Sequence, residues 1–298
     1  MDISPLERKI RAGLPFIRFL QSYVPLPVVN FFLRRSVARA GLGDDINRET
    51  VSAEGVSCEW LLPQNSLKDQ VLLYLHGGGF VFGLTTLHLQ LGAYLARKLG
   101  MRVLMVEYRL SPDHPFPAAL DDSQMAYRWL LKQGIEAKNI VVAGDSAGGN
   151  LTLTMLMALR DGGESLPAAA ACLSPVTDLT PNDKRREGFQ DPLIPPKAVN
   201  LYTRSYVGDR DAHEPLISPV FGELRGLPPV LVHVGDDEIL RDDAIRIVSV
   251  AKSAGVDARL EIYPRMWHVW QLTLDLPQAT HSLDDIVHFF RMHLGLDT

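Results

Sequence analysis

From about residue 70 onward, short runs of apolar residues alternate with stretches in which apolar side chains return every three or four positions. The runs are Val71–Leu75, Val103–Tyr108, Ile140–Ala143, Ala168–Leu173, Val230–Val234 and Leu260–Tyr263. They are predominantly apolar, broken only by Glu107, His233 and Glu261, and most do not alternate, as expected of strands buried on both faces. Between them, residues 87–99, 119–133, 147–160, 242–254 and 281–294 carry the helical period. This order predicts an α/β fold, a mostly parallel sheet with helices on both faces. Val51, Val56, Cys58, Trp60 and Leu62 predict antiparallel edge strands over residues 51–62.

Two segments break the rhythm. Residues 1–45 place Leu6, Ile10, Leu14 and Ile17 at helical spacing, with Phe16, Phe19 and Tyr23 on another face. Residues 176–215 are rich in Pro, Asp and Arg and separate two core strands. An insertion of that length in a compact α/β domain usually serves as a lid or substrate-binding element. The expected organisation is a core in two parts, 46–175 and 216–298, under a helical cap in two parts, 1–45 and 176–215. A helix simply docked on the core is an equal reading of the N-terminal stripe.

Composition narrows the function. The chain has 298 residues, 46% hydrophobic and 22% charged, enough for a large core and unlike a disordered, collagen-like or coiled-coil protein. Its net charge of −5 argues against a nucleic-acid partner. The charge is uneven, because residues 1–40 hold seven basic side chains and two acidic ones. Arg18, Gln21, Pro25 and Pro27 interrupt the apolar residues of this leader, which argues against a signal peptide. No run of apolar residues is long enough for a transmembrane segment. Cys58 and Cys172 lack metal-ligand spacing and read as free thiols of a cytoplasmic protein.

Gly144-Asp145-Ser146-Ala147-Gly148 follows the strand Ile140–Ala143 and precedes a helix-forming run, the context of a G-x-S-x-G elbow. A serine on so tight a turn requires residues without side chains two before and two after it. The helix that follows aims its first N–H groups at developing negative charge. His76-Gly77-Gly78-Gly79-Phe80 comes directly after Val71–Leu75. Its glycines let backbone N–H groups approach a carbonyl oxygen as it becomes an oxyanion. His76 reads as a structural brace. No phosphate-loop pattern is present.

A serine nucleophile needs a carboxylate and then a histidine downstream. Val230–Val234 runs into Gly235-Asp236-Asp237-Glu238, carboxylates at the carboxyl end of a buried strand. His268 alone follows the last core strand on a loop, and is the expected base. His281, His288 and His293 fall on a terminal helical pattern, and His233 within a strand. Extended geometry would send Asp236 and Asp237 to opposite faces, so one of them would reach the imidazole.

With these motifs the chain resembles the hormone-sensitive-lipase-like family of α/β-hydrolases, the bacterial HGGG-motif (family IV) carboxylesterases, from about residue 55 to its end. Tyr108-Arg109-Leu110-Ser111-Pro112-Asp113-His114-Pro115-Phe116-Pro117-Ala118-Ala119 is similar to the family's YRLAPEHPFPAA segment, with Ser111 and Asp113 as mild departures. Ser174-Pro175-Val176-Thr177-Asp178-Leu179 is similar to its SPWTDL run, with Val176 in place of Trp. The resemblance implies an α/β-hydrolase fold, Ser146 as nucleophile, His268 as base and Asp237 as orienting acid. It implies oxyanion donors at the N–H of Gly78, Gly79 and Ala147, and a cap from N-terminal helices. Phe80, Val81 and Phe82 would bound the substrate pocket. Trp267, with Trp270, would line its entrance, although hydrophobic packing is an equal reading.

The expected reaction is hydrolysis of a small-molecule acyl ester of short to medium chain through an acyl-enzyme, with no metal or organic cofactor. A lactone hydrolase or amidase would use the same residues, and a ligand-binding protein without turnover is the alternative from another class. Edge-strand pairing is compatible with a homodimer. The basic, apolar N-terminus raises contact with lipid surfaces.

Overall fold

The computed structural model describes residues 4–38, 40–181 and 191–297. Eight strands form one sheet: β1 (Ile46–Ala53), β2 (Val56–Pro63), β3 (Leu67–Leu75), β4 (Met101–Glu107), β5 (Ile140–Asp145), β6 (Ala169–Leu173), β7 (Val230–Gly235) and β8 (Ala258–Tyr263). Their order is β1-β2-β4-β3-β5-β6-β7-β8, antiparallel where β2 meets β1 and β4 and parallel from β4 to β8.

The continuous apolar runs follow from this arrangement. In β3, Val71, Leu73 and Leu75 pack with α4 (Ala118–Lys132) and α5 (Ala147–Asp161). The alternate residues Leu72 and Tyr74 pack with α3 (Thr86–Leu99) and α8 (Pro277–His293) on the other face. All five are fully buried, which selects apolar side chains on both faces, Tyr74 being accommodated because its hydroxyl has a partner in Asp145. Each such leucine contributes about 1.5–3 kcal/mol by leaving water. Similarly, α7 (Arg241–Ser253) seats Ala244, Ile247 and Val248 on Val230 and Val232.

The predicted edge is a hairpin. Glu54 (φ 52°) and Gly55 (φ 100°) both adopt positive φ, as a two-residue turn matching the strand twist requires. Cys58 and Cys172 are buried free thiols on β2 and β6.

Three helices bear on the loops at the carboxyl ends of the strands. On α1 (Pro5–Tyr23), Leu14 packs with Met266, Trp267 and Trp270 just beyond β8. On α2 (Leu26–Val37), the Asn30 side chain donates to the Val81 carbonyl at 2.7 Å and accepts from the Gly83 N–H at 3.2 Å. On α6 (Pro196–Val207), Tyr206 stacks on Phe80 with ring centres 3.6 Å apart. The N-terminal stripe is buried only in its middle: Leu14 is enclosed, while Leu6 and Ile17 are 36% and 45% exposed. Among the described residues no helix is long and apolar enough to cross a membrane.

Candidate active site

Ser146 stands between β5 and α5 with φ 54° and ψ −115°, a conformation that costs a non-glycine residue on the order of 1–3 kcal/mol. The turn closes because its neighbours lack side chains. A Cβ on Gly144 would stand 2.3 Å from the Gly148 carbonyl oxygen, and one on Gly148 only 1.9 Å from that of Leu75. The Ser146 N–H donates to Leu173 at 2.8 Å, pinning the elbow to β6. Ala147 opens α5, so its N–H belongs to the first turn, which has no intrahelical acceptor.

The glycine loop after β3 lies against this elbow, and one carboxylate joins them. Asp145 Oδ1 accepts from the Gly77 N–H and the Tyr74 hydroxyl, each at 2.9 Å. Burial pushes the Asp145 carboxyl up, but neighbouring His88 and the Tyr74 hydrogen bond outweigh it and hold it below the usual carboxylate range. His88 Nδ1 accepts the Thr85 N–H, which leaves the Nε2 proton facing Asp145 Oδ2 at 3.4 Å. Gly78 and Gly79 take φ of 116° and 60°, and a Cβ on Gly78 would meet the Phe82 carbonyl oxygen at 2.6 Å. His76 stacks on Tyr108 and its Nδ1 lies 2.7 Å from the Gly77 carbonyl. Burial drives its pKa down to about 4, so it is a neutral brace.

The loop after β7 sends its three carboxylates in different directions. Asp236 accepts the Arg265 N–H. Asp237 pairs with Arg11 at 2.8 Å, its side chain 39% exposed. Glu238, fully buried, lies 3.1 Å from His268 Nδ1 through Oε2. The expectation of Asp237 beside the imidazole is therefore corrected to Glu238. Strand alternation does not extend past Gly235. The Asp236 and Asp237 N–H groups bond to Tyr263 and Met266, and the chain then turns, with Arg241 N–H on the Glu238 carbonyl. A Cβ on Gly235 would come within 2.0 Å of the Met266 carbonyl oxygen, so this glycine lets the two loops touch. The available signal was burial: Glu238 directly precedes Ile239 and Leu240, where the loop re-enters the core.

The Nδ1 contact sets the chemistry of His268. With its Nδ1 proton donated to Glu238, Nε2 carries the lone pair. Burial disfavours the imidazolium, yet the Glu238 carboxylate outweighs it, with Asp191 and Asp145 acting the same way, and the imidazole pKa is raised above its ordinary value. Burial in turn raises the Glu238 carboxyl, against the pull of His268.

The expected substrate residues are placed differently. Phe80 is buried in the core against Tyr206, Val81 is enclosed by Ala198 and Tyr202, and Trp267 packs with Leu14 and Met266. None of the three exposes a surface to a ligand; only Phe82 is partly open, edge-on to Tyr202. Adjacency to the glycine loop and to His268 did not determine side-chain direction. His233 is a satisfied interior histidine between Ser282 and Asp285, and His281 and His288 are exposed.

Several positioning residues gave no sequence signal because their partners are distant in the chain. Asp191 accepts the Ile239 N–H at 2.8 Å next to Glu238, and its carbonyl accepts from Arg18 of α1 at 2.6 Å. Glu7, fully buried, reaches Arg11, Arg265 and Gln278 at 3.3–3.4 Å. Helix α1 is thereby tied to both the acid loop and the base loop. Among the described residues no three His, Cys, Asp or Glu side chains converge as metal ligands.

Known proteins resemble this chain in sequence and fold. A family described as having the α/β hydrolase fold matches residues 72–272. An acetyl-hydrolase of Streptomyces hygroscopicus is 37% identical over 250 residues, 83% of each chain. A crystal structure of a mutant of the esterase E40 superposes with a TM-score of 0.92 at 38% identity, covering 98% of this chain and 100% of that one. An esterase from the bacterial hormone-sensitive lipase family superposes with a TM-score of 0.89 at 38% identity, over 99% and 100% of the two chains.

Proposed function

The chain belongs to the hormone-sensitive-lipase-like branch of the α/β-hydrolase family and is a carboxylic ester hydrolase, and from that premise we propose that Ser146, His268 and Glu238 form its catalytic triad. The observation that carries this reading is the buried contact of 3.1 Å between His268 Nδ1 and Glu238, because it fixes the imidazole tautomer that a general base needs.

His268 Nε2 takes the Ser146 hydroxyl proton as the oxygen attacks the ester carbonyl. Glu238 stabilises the imidazolium that results. The N–H groups of Gly78, Gly79 and Ala147 hold the oxyanion, each such donor contributing about 2.7–4 kcal/mol to transition-state stabilisation. The imidazolium then returns its proton to the departing alcohol. Water, deprotonated by the same nitrogen, hydrolyses the acyl-enzyme and restores Ser146. Asp145 acts as a positioning residue, since it holds the Gly77 N–H and so the donor loop.

The substrates we propose are acyl esters of short to medium chain. Relatives named acetyl-hydrolase and ethyl acetate hydrolase favour the short end of that range. The Tyr202 ring, set directly against Gly79 of the glycine loop, supports the same limit. Helices α1, α2 and α6, the described helical parts of 1–45 and 176–215, make the cap over this site in this reading; their contacts with the catalytic loops support it.

The test is release of nitrophenol from p-nitrophenyl esters, acetyl to dodecanoyl, by the wild type and Ser146→Ala. Turnover falling by more than about a thousandfold in the variant is expected. Retained turnover would remove Ser146 from the mechanism.

A further inference from the structure

The two N-terminal helices carry an outward apolar face that neither the sheet nor the catalytic loops cover. On α1, Phe16, Phe19 and Tyr23 recur at helical spacing and are 65%, 56% and 73% exposed. On α2, Val28, Phe31 and Phe32 are 44%, 59% and 64% exposed. The inward faces are fixed, α1 through Leu14 and Glu7 and α2 through Asn30. These aromatics do not serve the packing of the fold, and isolated exposure would not place six large apolar side chains on two adjacent helices.

Charge identifies what could cover them. Arg8 and Lys9 lie on the outward side of α1 at the same spacing as Phe16 and Phe19, and Arg35 follows Val28, Phe31 and Phe32 on α2; all three are exposed. The one described carboxylate of the two helices, Glu7, is fully buried. An apolar, aromatic face bordered by cations fits the boundary between head groups and acyl chains of an anionic lipid surface. A second copy of this chain would bring cation against cation. Neither helix is long and apolar enough to cross a membrane, so the helices would lie in the plane of the surface.

We propose that α1 and α2 dock the protein on anionic lipid surfaces. Because the same helices bond to the glycine loop through Asn30 and to the acid and base loops through Arg11 and Glu7, docking sets the site against the lipid, where apolar esters concentrate.

The test is co-sedimentation of the full chain with phosphatidylcholine vesicles containing about a third phosphatidylserine, against phosphatidylcholine alone. The readout does not depend on hydrolysis, so it separates this inference from the triad. Partition at least about tenfold higher on the anionic vesicles is expected, falling when salt is raised to about 0.5 M. Two variants, F16S/F31S/F32S and R8E/K9E/R35E, are each expected to lose about tenfold in partition, with circular dichroism and thermal unfolding showing both to be folded like wild type. A folded chain that stays in solution, or variants that sediment like wild type, would overturn the proposal. So would a dimer by light scattering that F16S/F31S/F32S converts to monomer, since a second copy would then own the face.

Discussion

Replacing Glu238 by Gln and, separately, Asp237 by Asn separates two adjacent carboxylates by environment. Glu238 is fully buried and 3.1 Å from Nδ1, whereas the Asp237 side chain is 39% exposed and pairs with Arg11. Glutamine keeps the volume of Glu238 but removes the charge that faces the imidazolium. A hydrogen bond to a charged group contributes about 1.5–3 kcal/mol, and an unpaired buried cation costs about 3–5 kcal/mol. These overlap, so the barrier should rise by about 3–5 kcal/mol, a loss in kcat/KM of about two to four orders of magnitude. The amide also lets the ring present the wrong tautomer, which acts in the same direction. Asp237→Asn weakens a partly exposed ion pair outside the imidazole contact and leaves an amide oxygen to accept from Arg11, a loss of about 1 kcal/mol, so kcat/KM should change less than about fivefold. The assay is kcat/KM on p-nitrophenyl butyrate, with thermal unfolding to show that both variants are folded. Collapse of Asp237→Asn with near-normal Glu238→Gln would refute the assignment.

Three further outcomes follow from the same geometry. His268 must be neutral to accept a proton and its pKa is raised above the ordinary 6.5, so kcat/KM should fall as pH drops through a midpoint above about 6.5; Glu238→Gln should move that midpoint lower, and a wild-type profile flat to pH 4 would contradict it. Asp145→Ala strands the buried Gly77 N–H and Tyr74 hydroxyl, which should lower unfolding free energy in urea by about 2–6 kcal/mol and reduce kcat; a cost under about 1 kcal/mol would contradict the staple. Gly148→Ala puts a methyl 1.9 Å from the Leu75 carbonyl oxygen, so the chain should lose its cooperative melt or at least about a hundredfold in activity; wild-type behaviour in both would contradict the packing of elbow on loop.

How much could be read from residues alone depended on the range of the physics. The core strands were legible because burial on both faces removes polar residues, as at Leu72 and Leu73. The elbow and glycine loop were legible because close approach admits no Cβ at Gly144, Gly148 or Gly78. His268 was legible from its place after the last strand. Glu238 was not: alternation, carried past Gly235 into a chain that turns, narrowed the choice to Asp236 and Asp237, and the family resemblance then favoured Asp237. Asp191 and Glu7 were not, because their meaning lies in partners scattered over the chain, Ile239 and Arg265 among them. Phe80 and Trp267 show that a position beside the chemistry need not face it; their rings turn into the interior.

The central claim is that Ser146 becomes acylated within the frame of His268, Glu238 and the glycine loop. The most direct measurement is peptide mapping after inactivation by a p-nitrophenyl alkylphosphonate, which leaves a stable adduct on an activated serine. The account predicts one phosphonyl group per chain, on Ser146, appearing in step with loss of esterase activity and absent from Ser146→Ala and His268→Ala. Inactivation with the adduct on another residue, or with Ser146 unmodified, would contradict it.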